Sequence, residues 1–293
     1  MSEINEKYEK YRREWKKNDD KRDAGLDSHP HDVERIDNLS YGSHGEDNYL
    51  DIYLPRKRQG LVPVVVNVHG GGYFYGTKET YQYYGLMFAQ HGFAFVNFNY
   101  QKAPAVHYPG EINEVNQVFH WVAANGHNHD LDLNNVFITG DSAGGQMAEQ
   151  YITAYTNPEY RKLLGFTKPQ LTLRAGLLNC GCYFLGQQLS KPSVIDAYFT
   201  PAVREKYQQS LRVEDYITTD FLPTFVMTSY DDPLRDTGVR FDQFLTDRHV
   251  YHQFKEYGTQ KDPRGHVFHI DQRDEVAKQC NHEEMEFLRR YLH

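Results

Sequence analysis

Ser142 stands in Gly140-Asp141-Ser142-Ala143-Gly144-Gly145, after the apolar run Asn135-Val136-Phe137-Ile138-Thr139 and before Gln146-Met147-Ala148-Glu149-Gln150-Tyr151. That order spells a strand, a sharp turn and a helix, with a serine at the apex. A serine so placed is pushed out of the fold, and the flanking glycines let strand and helix pass close together. The new helix also aims free N–H groups at whatever the serine attacks. The chemistry on offer is nucleophilic attack on an acyl carbon, which needs an oxyanion site, a base and an orienting acid.

Candidates for all three lie in the chain. A buried-strand run over 61–68 stops at His69-Gly70-Gly71-Gly72-Tyr73-Phe74. Three glycines at a strand end leave backbone N–H groups unencumbered, so Gly70, Gly71 and Gly72, with Ala143, are the expected oxyanion donors. A phosphate cradle is not expected, because no Lys-Ser/Thr follows in P-loop spacing. The run Pro223-Thr224-Phe225-Val226-Met227-Thr228-Ser229 leads into Tyr230-Asp231-Asp232-Pro233-Leu234-Arg235-Asp236. A carboxylate at the C-terminal end of such a strand sits where open α/β sheets place ligands. Asp232 is preferred as the acid, with Asp231 and Asp236 as competitors. The base follows in Gly265-His266-Val267-Phe268-His269, giving the chain order Ser, Asp, His; His266 is preferred over His269.

These four motifs, His69-Gly70-Gly71-Gly72, Gly140-Asp141-Ser142-Ala143-Gly144-Gly145, Asp232-Pro233-Leu234-Arg235-Asp236 and Gly265-His266-Val267-Phe268, together resemble the hormone-sensitive-lipase-like esterases of the α/β-hydrolase fold. The resemblance runs from about Tyr49 to the C-terminus. Tyr100-Gln101-Lys102-Ala103-Pro104 looks like a further signature of that family, departing from its usual spelling at Gln101, Lys102 and Ala105. The resemblance implies hydrolysis of short-chain carboxylic esters through an acyl-enzyme. It implies Ser142 as nucleophile, His266 as general base and then acid, Asp232 as orienting carboxylate, and no cofactor.

The elements that must position these residues are legible as alternating periodicities. Strands are expected at 47–54, 61–68, 93–100, 135–139, 171–178, 223–229 and from 251. Helices are expected at 109–124, after Ser142, at 239–247 and at 271–292. Strands alternating with helices mean an α/β fold, a mostly parallel sheet with helices on both faces, plus a small cap. The 293 residues suit one domain. Residues 1–40 are dense in charge, with Tyr8, Tyr11 and Trp15 at helical intervals, and are expected to form an N-terminal cap or tail. Residues 183–219 are too long for an ordinary loop and are expected to be a cap insertion.

A formal charge of −8 with dispersed signs excludes nucleic acid as a natural partner. No apolar run is long enough to span a bilayer and no apolar leader opens the chain, so a cytoplasmic protein without a membrane partner is expected. Cys180, Cys182 and Cys280 read as reduced thiols, with no metal-site spacing. His127-Asn128-His129-Asp130 could ligate a metal but precedes the nucleophile strand, so no metal site is expected there. Tyr73, Phe74 and Asp141 are the expected substrate contacts, with Tyr75 beside them. The cap stretches are mixed in polarity, which favours small esters such as acetyl esters over long chains. An amidase of the same fold, such as a formamidase, would use the same motifs, and a non-catalytic binding protein on this scaffold is a further alternative. Homo-oligomers are possible.

Overall fold

Alternating valines in Val62–Val68 send Val64, Val66 and Val68 to one face of a sheet and Val65 to the other, and all four are fully buried. A strand buried on both faces needs helices above and below it. The computed structural model describes residues 3–190 and 193–293, so Met1, Ser2, Lys191 and Pro192 of the two expected cap stretches lie outside the described residues.

The chain opens with helix α1 (Glu3–Asp23) and continues through strands β1 (Val33–Ser40), β2 (Tyr49–Pro55) and β3 (Val62–Val68). Helix α2 (Gln82–Gln90), strand β4 (Ala94–Phe98) and helix α3 (Gly110–Asn125) follow. Strand β5 (Leu131–Asp141) runs straight into α4 (Ala143–Thr156), and the short α5 (Pro158–Leu163) leads to β6 (Leu173–Asn179). Beyond it come two short helices, α6 (Leu185–Gln188) and α7 (Pro201–Lys206). The chain ends with β7 (Thr224–Ser229), α8 (Arg235–Asp247), β8 (His252–Tyr257) and α9 (Glu275–Arg289).

The strands form one sheet in the order β1-β2-β4-β3-β5-β6-β7-β8. β1 and β2 join antiparallel, and every pairing from β4 to β8 is parallel. This is the expected α/β architecture. Val115, Met147 and Phe241 of α3, α4 and α8 pack on one face, and Leu86, Phe88, Cys280 and Phe287 of α2 and α9 on the other. Because the parallel strands share one direction, the loops after β3, β5, β7 and β8 converge on one edge.

One boundary differs from expectation. Residues 33–40, counted in the N-terminal cap or tail, form the edge strand β1. Its burial pattern is irregular and the register shifts between Ile36 and Leu39, so no clean alternation betrayed it. Among the described residues, no helix is long and apolar enough to cross a membrane.

Beneath the site edge, α9 inserts a fully buried carboxylate. Glu284 accepts hydrogen bonds from Tyr84 Oη and Asn179 Nδ2, both at 2.7 Å. Burial pushes its pKa up from 4.5 to about 7, against the pull of those two donors. A carboxyl raised in the folded state stabilises the fold fully below its unfolded pKa, and that stability is lost as pH rises through the folded one. The melting temperature of the wild type should therefore fall between pH 4.5 and 7 more steeply than that of Glu284→Gln. Parallel thermal melts across that window test this, and parallel curves would refute it.

Candidate active site

The elbow is built by close approach. A Cβ on Gly144 would lie 2.0 Å from the Val68 carbonyl oxygen, so only glycine lets α4 start against β3. Ser142 itself is held at φ 54°, ψ −117°, a region side-chain-bearing residues avoid. Three main-chain bonds hold it there: its N–H donates to Asn179 O at 2.9 Å, and its carbonyl accepts from Gln146 and Cys182 N–H at 3.1 Å each.

Asp232 and His266 are drawn together by the loops after β7 and β8. Ser229 Oγ donates to Gly265 O at 2.9 Å and Asp231 N–H to Arg264 O at 3.0 Å. His266 Nδ1 lies 2.9 Å from Asp232 Oδ1, which also accepts from Leu234 N–H at 2.7 Å. Burial alone would raise the Asp232 pKa, but the His266 hydrogen bond and charge, with smaller help from Cys180 and Leu234, hold it below the ordinary carboxylate value. The competitors are elsewhere. Asp231 and Asp236 are exposed. His269 is buried against Tyr84, and burial lowers its pKa to about 3.

Ser142 and His266 open onto one cavity of about 560 Å³, with Gly71, Gly72 and Ala143 on its wall. The Ser142 hydroxyl makes no hydrogen bond to His266 among the described contacts. Such bonds are often loose until substrate arrives. The N–H groups of Gly71, Gly72 and Ala143 have no partner among the described residues, so they remain available to an oxyanion. Gly71 sits at φ 123°, and a Cβ there would lie 2.1 Å from Tyr75 O, so the loop requires glycine.

Gly70 is corrected. Its N–H donates to Tyr81 Oη at 3.0 Å, and that hydroxyl donates on to Asp141 Oδ2 at 2.8 Å. The chain of bonds removes the Gly70 amide from the oxyanion set. It also occupies Asp141, whose pKa burial raises to about 6 although Tyr81 and others pull it down. Asp141 reaches the cavity wall, but its carboxylate serves the glycine loop. His69 is equally structural: it stacks on Tyr100 at 3.9 Å, and burial lowers its pKa to about 3.

Phe74 is corrected too. It is fully buried away from the cavity, with Tyr8, Tyr11 and Trp15 of α1 packed on its ring. Tyr73 does touch the cavity, yet its ring stacks on Tyr198 and its hydroxyl donates to Gln146 Oε1 at 2.9 Å. Wall residues not singled out from sequence include Asn18 and Asp19 from α1, Gln188 at the end of α6, and Ser193 and Val194 beyond it. Trp15 of the charged N-terminal stretch and Ile195 of the expected cap insertion join them. Arg12 fixes α1 by donating to the carbonyls of Phe74 at 2.8 Å and Ala103 at 2.7 Å, and Tyr8 Oη donates to Val194 O at 2.8 Å. Only the helical spacing of Tyr8, Tyr11 and Trp15 signalled this in advance. Of the histidine-rich loop, Asp130 is paired with Arg58 at 2.8 Å.

A mostly parallel eight-stranded sheet, a serine elbow on its fifth strand and an Asp–His pair beyond its seventh and eighth define an α/β-hydrolase fold. A family profile described as BD-FAE matches residues 50–171. The chain is 30% identical over 149 residues to the probable carboxylic ester hydrolase LipM of Mycobacterium tuberculosis, covering 50% of this chain and 34% of that one. It is 28% identical over 232 residues to the carboxylesterase NlhH of the same organism, covering 72% of this chain and 70% of NlhH. The chain thus spans only 34% of LipM and, likewise, 48% of the related esterase LipQ. The C6-C4 SN3 inhibited esterase B of Lactobacillus rhamnosis superposes with a TM-score of 0.90 at 22% identity, covering 99% of this chain and 97% of that one. The chain has the α/β-hydrolase fold, and the proteins it is similar to are named as carboxylic ester hydrolases and esterases.

Proposed function

We propose that this protein is a serine carboxylesterase that hydrolyses short-chain acyl esters through an acyl-enzyme. The observation carrying the proposal is that Ser142, the Asp232–His266 pair and three unpartnered amides open onto the same cavity. Ser142 Oγ attacks the ester carbonyl while His266 Nε2 takes its proton, and Asp232 holds the ring by Nδ1 and stabilises the imidazolium. The carbonyl oxygen becomes an oxyanion against the amides of Gly71, Gly72 and Ala143, each such donor contributing about 3–4 kcal/mol. The imidazolium then protonates the departing alcohol, and water repeats the sequence to release the acid. The names of LipM, NlhH and esterase B support the same reading. A cytoplasmic location remains part of the proposal.

The short-chain part rests on the polarity of the wall. Helix α1 and the stretch between β6 and β7 line the half-open cavity of about 560 Å³ with Asn18, Asp19, Gln188 and Ser193 among apolar groups, a mixed surface that suits a small ester better than a long acyl tail. A p-nitrophenyl ester series run with wild type and Ser142→Ala tests both parts. Wild-type kcat/KM should peak at acetate to butyrate and fall at least about tenfold by decanoate. A peak at decanoate would end the short-chain reading. Undiminished turnover by the Ser142→Ala protein would end the whole of it.

A further inference from the structure

Asp232 has one oxygen accounted for and one orphaned. Oδ1 accepts from His266 and Leu234, while Oδ2 is buried with no conventional partner, its side chain fully shielded from solvent. A buried carboxylate oxygen left unpaired is costly, so something close by should meet it. The nearest candidate is a thiol. Cys180 follows β6, fully buried at φ 48°, and its Sγ, an Asp232 carboxylate oxygen and a ring nitrogen of His266 lie within 4.8 Å of one another. The main chain fixes the sulfur there, through the Cys180 N–H donating to Met227 O at 2.7 Å. The thiol hydrogen has two directions to choose between, the thioether of Met227 at 3.7 Å and the carboxylate. An anionic oxygen is much the better acceptor.

We propose that Cys180 is a positioning residue for the ester hydrolysis inferred above, its S–H donating to Asp232 Oδ2 and fixing the carboxylate in the plane that presents Oδ1 to His266. The thiol is suited to the place because it stays protonated: burial first, and the neighbouring Asp232 charge second, raise its pKa well above the ordinary thiol value. The other titratable groups facing the sulfur are Asp141 from the elbow strand, Tyr183 from the loop after β6 and Cys280 from α9. Cys180 touches no substrate and acts only through Asp232.

The test compares wild type with Cys180→Ser and Cys180→Ala. In the alanine protein the carboxylate is freed and more basic, so kcat should fall roughly tenfold with KM unchanged, and the acid limb of the pH–kcat/KM profile should move to higher pH. Serine restores a donor, and a stronger one than a thiol, so kcat should return to within about threefold of wild type and the limb should lie below its original place. A purely structural cysteine would predict losses that follow melting temperature in both variants and no displacement of the limb, and that pattern would overturn the proposal. Should the alanine protein not fold, the comparison of serine with wild type decides: a displaced limb supports the proposal and superimposable profiles overturn it. The proposal rests on the esterase reading, so the second readout needs no turnover. The downfield proton resonance of His266 Nδ1–H should shift in the alanine protein and return in the serine one. A wild type inactive on every ester would refute the esterase reading, while an unmoved resonance would refute the role of Cys180.

Discussion

Ser142→Ala should hydrolyse p-nitrophenyl acetate about 10⁴- to 10⁶-fold more slowly than wild type. The loss falls on kcat, because the amides of Gly71, Gly72 and Ala143 belong to the main chain and survive the substitution. Those amides, with the cavity, should leave a residual rate above that of water alone. The variant should also fold, since the elbow is held by main-chain bonds to Asn179, Gln146 and Cys182 rather than by the hydroxyl. Its melting temperature should match or exceed that of wild type. Ser142→Gly should melt higher still, because a residue at φ 54°, ψ −117° stores about 1–3 kcal/mol that glycine relieves. Activity in either variant above a hundredth of wild type would place the nucleophile elsewhere.

Asp232→Asn should be the more instructive loss, about 10⁴-fold in kcat at neutral pH. An asparagine fills the same space and can still accept from Leu234 N–H, so the loop should keep its shape. What goes is the charge that stabilises the imidazolium and the acceptor that keeps the His266 Nδ1 proton in place. The sign of the pH effect follows from the depressed pKa of Asp232. A depressed carboxyl stabilises the fold above its unfolded pKa of 3.8 and loses that contribution only as pH falls through the lower folded value. Above pH 4, then, Asp232 stays charged, and its own protonation does not account for acid-side loss of activity in the wild type. Parallel pH–rate profiles for the two proteins measure this. Equal activity at neutral pH would mean that Asp232 does not orient the base.

Much of this arrangement could be read directly from the residue types. Strands β3 and β5 carry the short apolar runs Val64-Val65-Val66 and Val136-Phe137-Ile138, buried on both faces, as a parallel sheet covered by helices requires. Ser142 and Asp232 stood out because each follows such a run, which places it at the same sheet edge, and His266 through the chain order Ser, Asp, His. The particulars that escaped are contacts between side chains far apart in sequence. Nothing near Gly70 announces that Tyr81 will take its amide, because eleven residues and a loop separate them. Phe74 follows the glycines as a pocket residue would, and only the docking of α1 shows it to be covered. β1 went unread because its half-exposed, bulged register has no period to detect. Cys180 read only as a reduced thiol, and its relation to Asp232 exists only in three dimensions.

Helix α1 is fastened to the rest of the molecule through carbonyl oxygens, those of Phe74, Ala103 and, by way of Tyr8, Val194. A carbonyl is present whatever residue occupies the position, so these hydrogen bonds place little demand on the partner side chains, and the rings of Tyr8, Tyr11 and Trp15 on Phe74 supply the rest of the docking. A wall residue such as Asn18 can then be exchanged along that helix without touching the elbow, the acid or the base. Under the proposed reading, the choice of ester and the power to cleave it are inherited through different stretches of the polypeptide. Relatives could diverge in diet while sharing the same teeth.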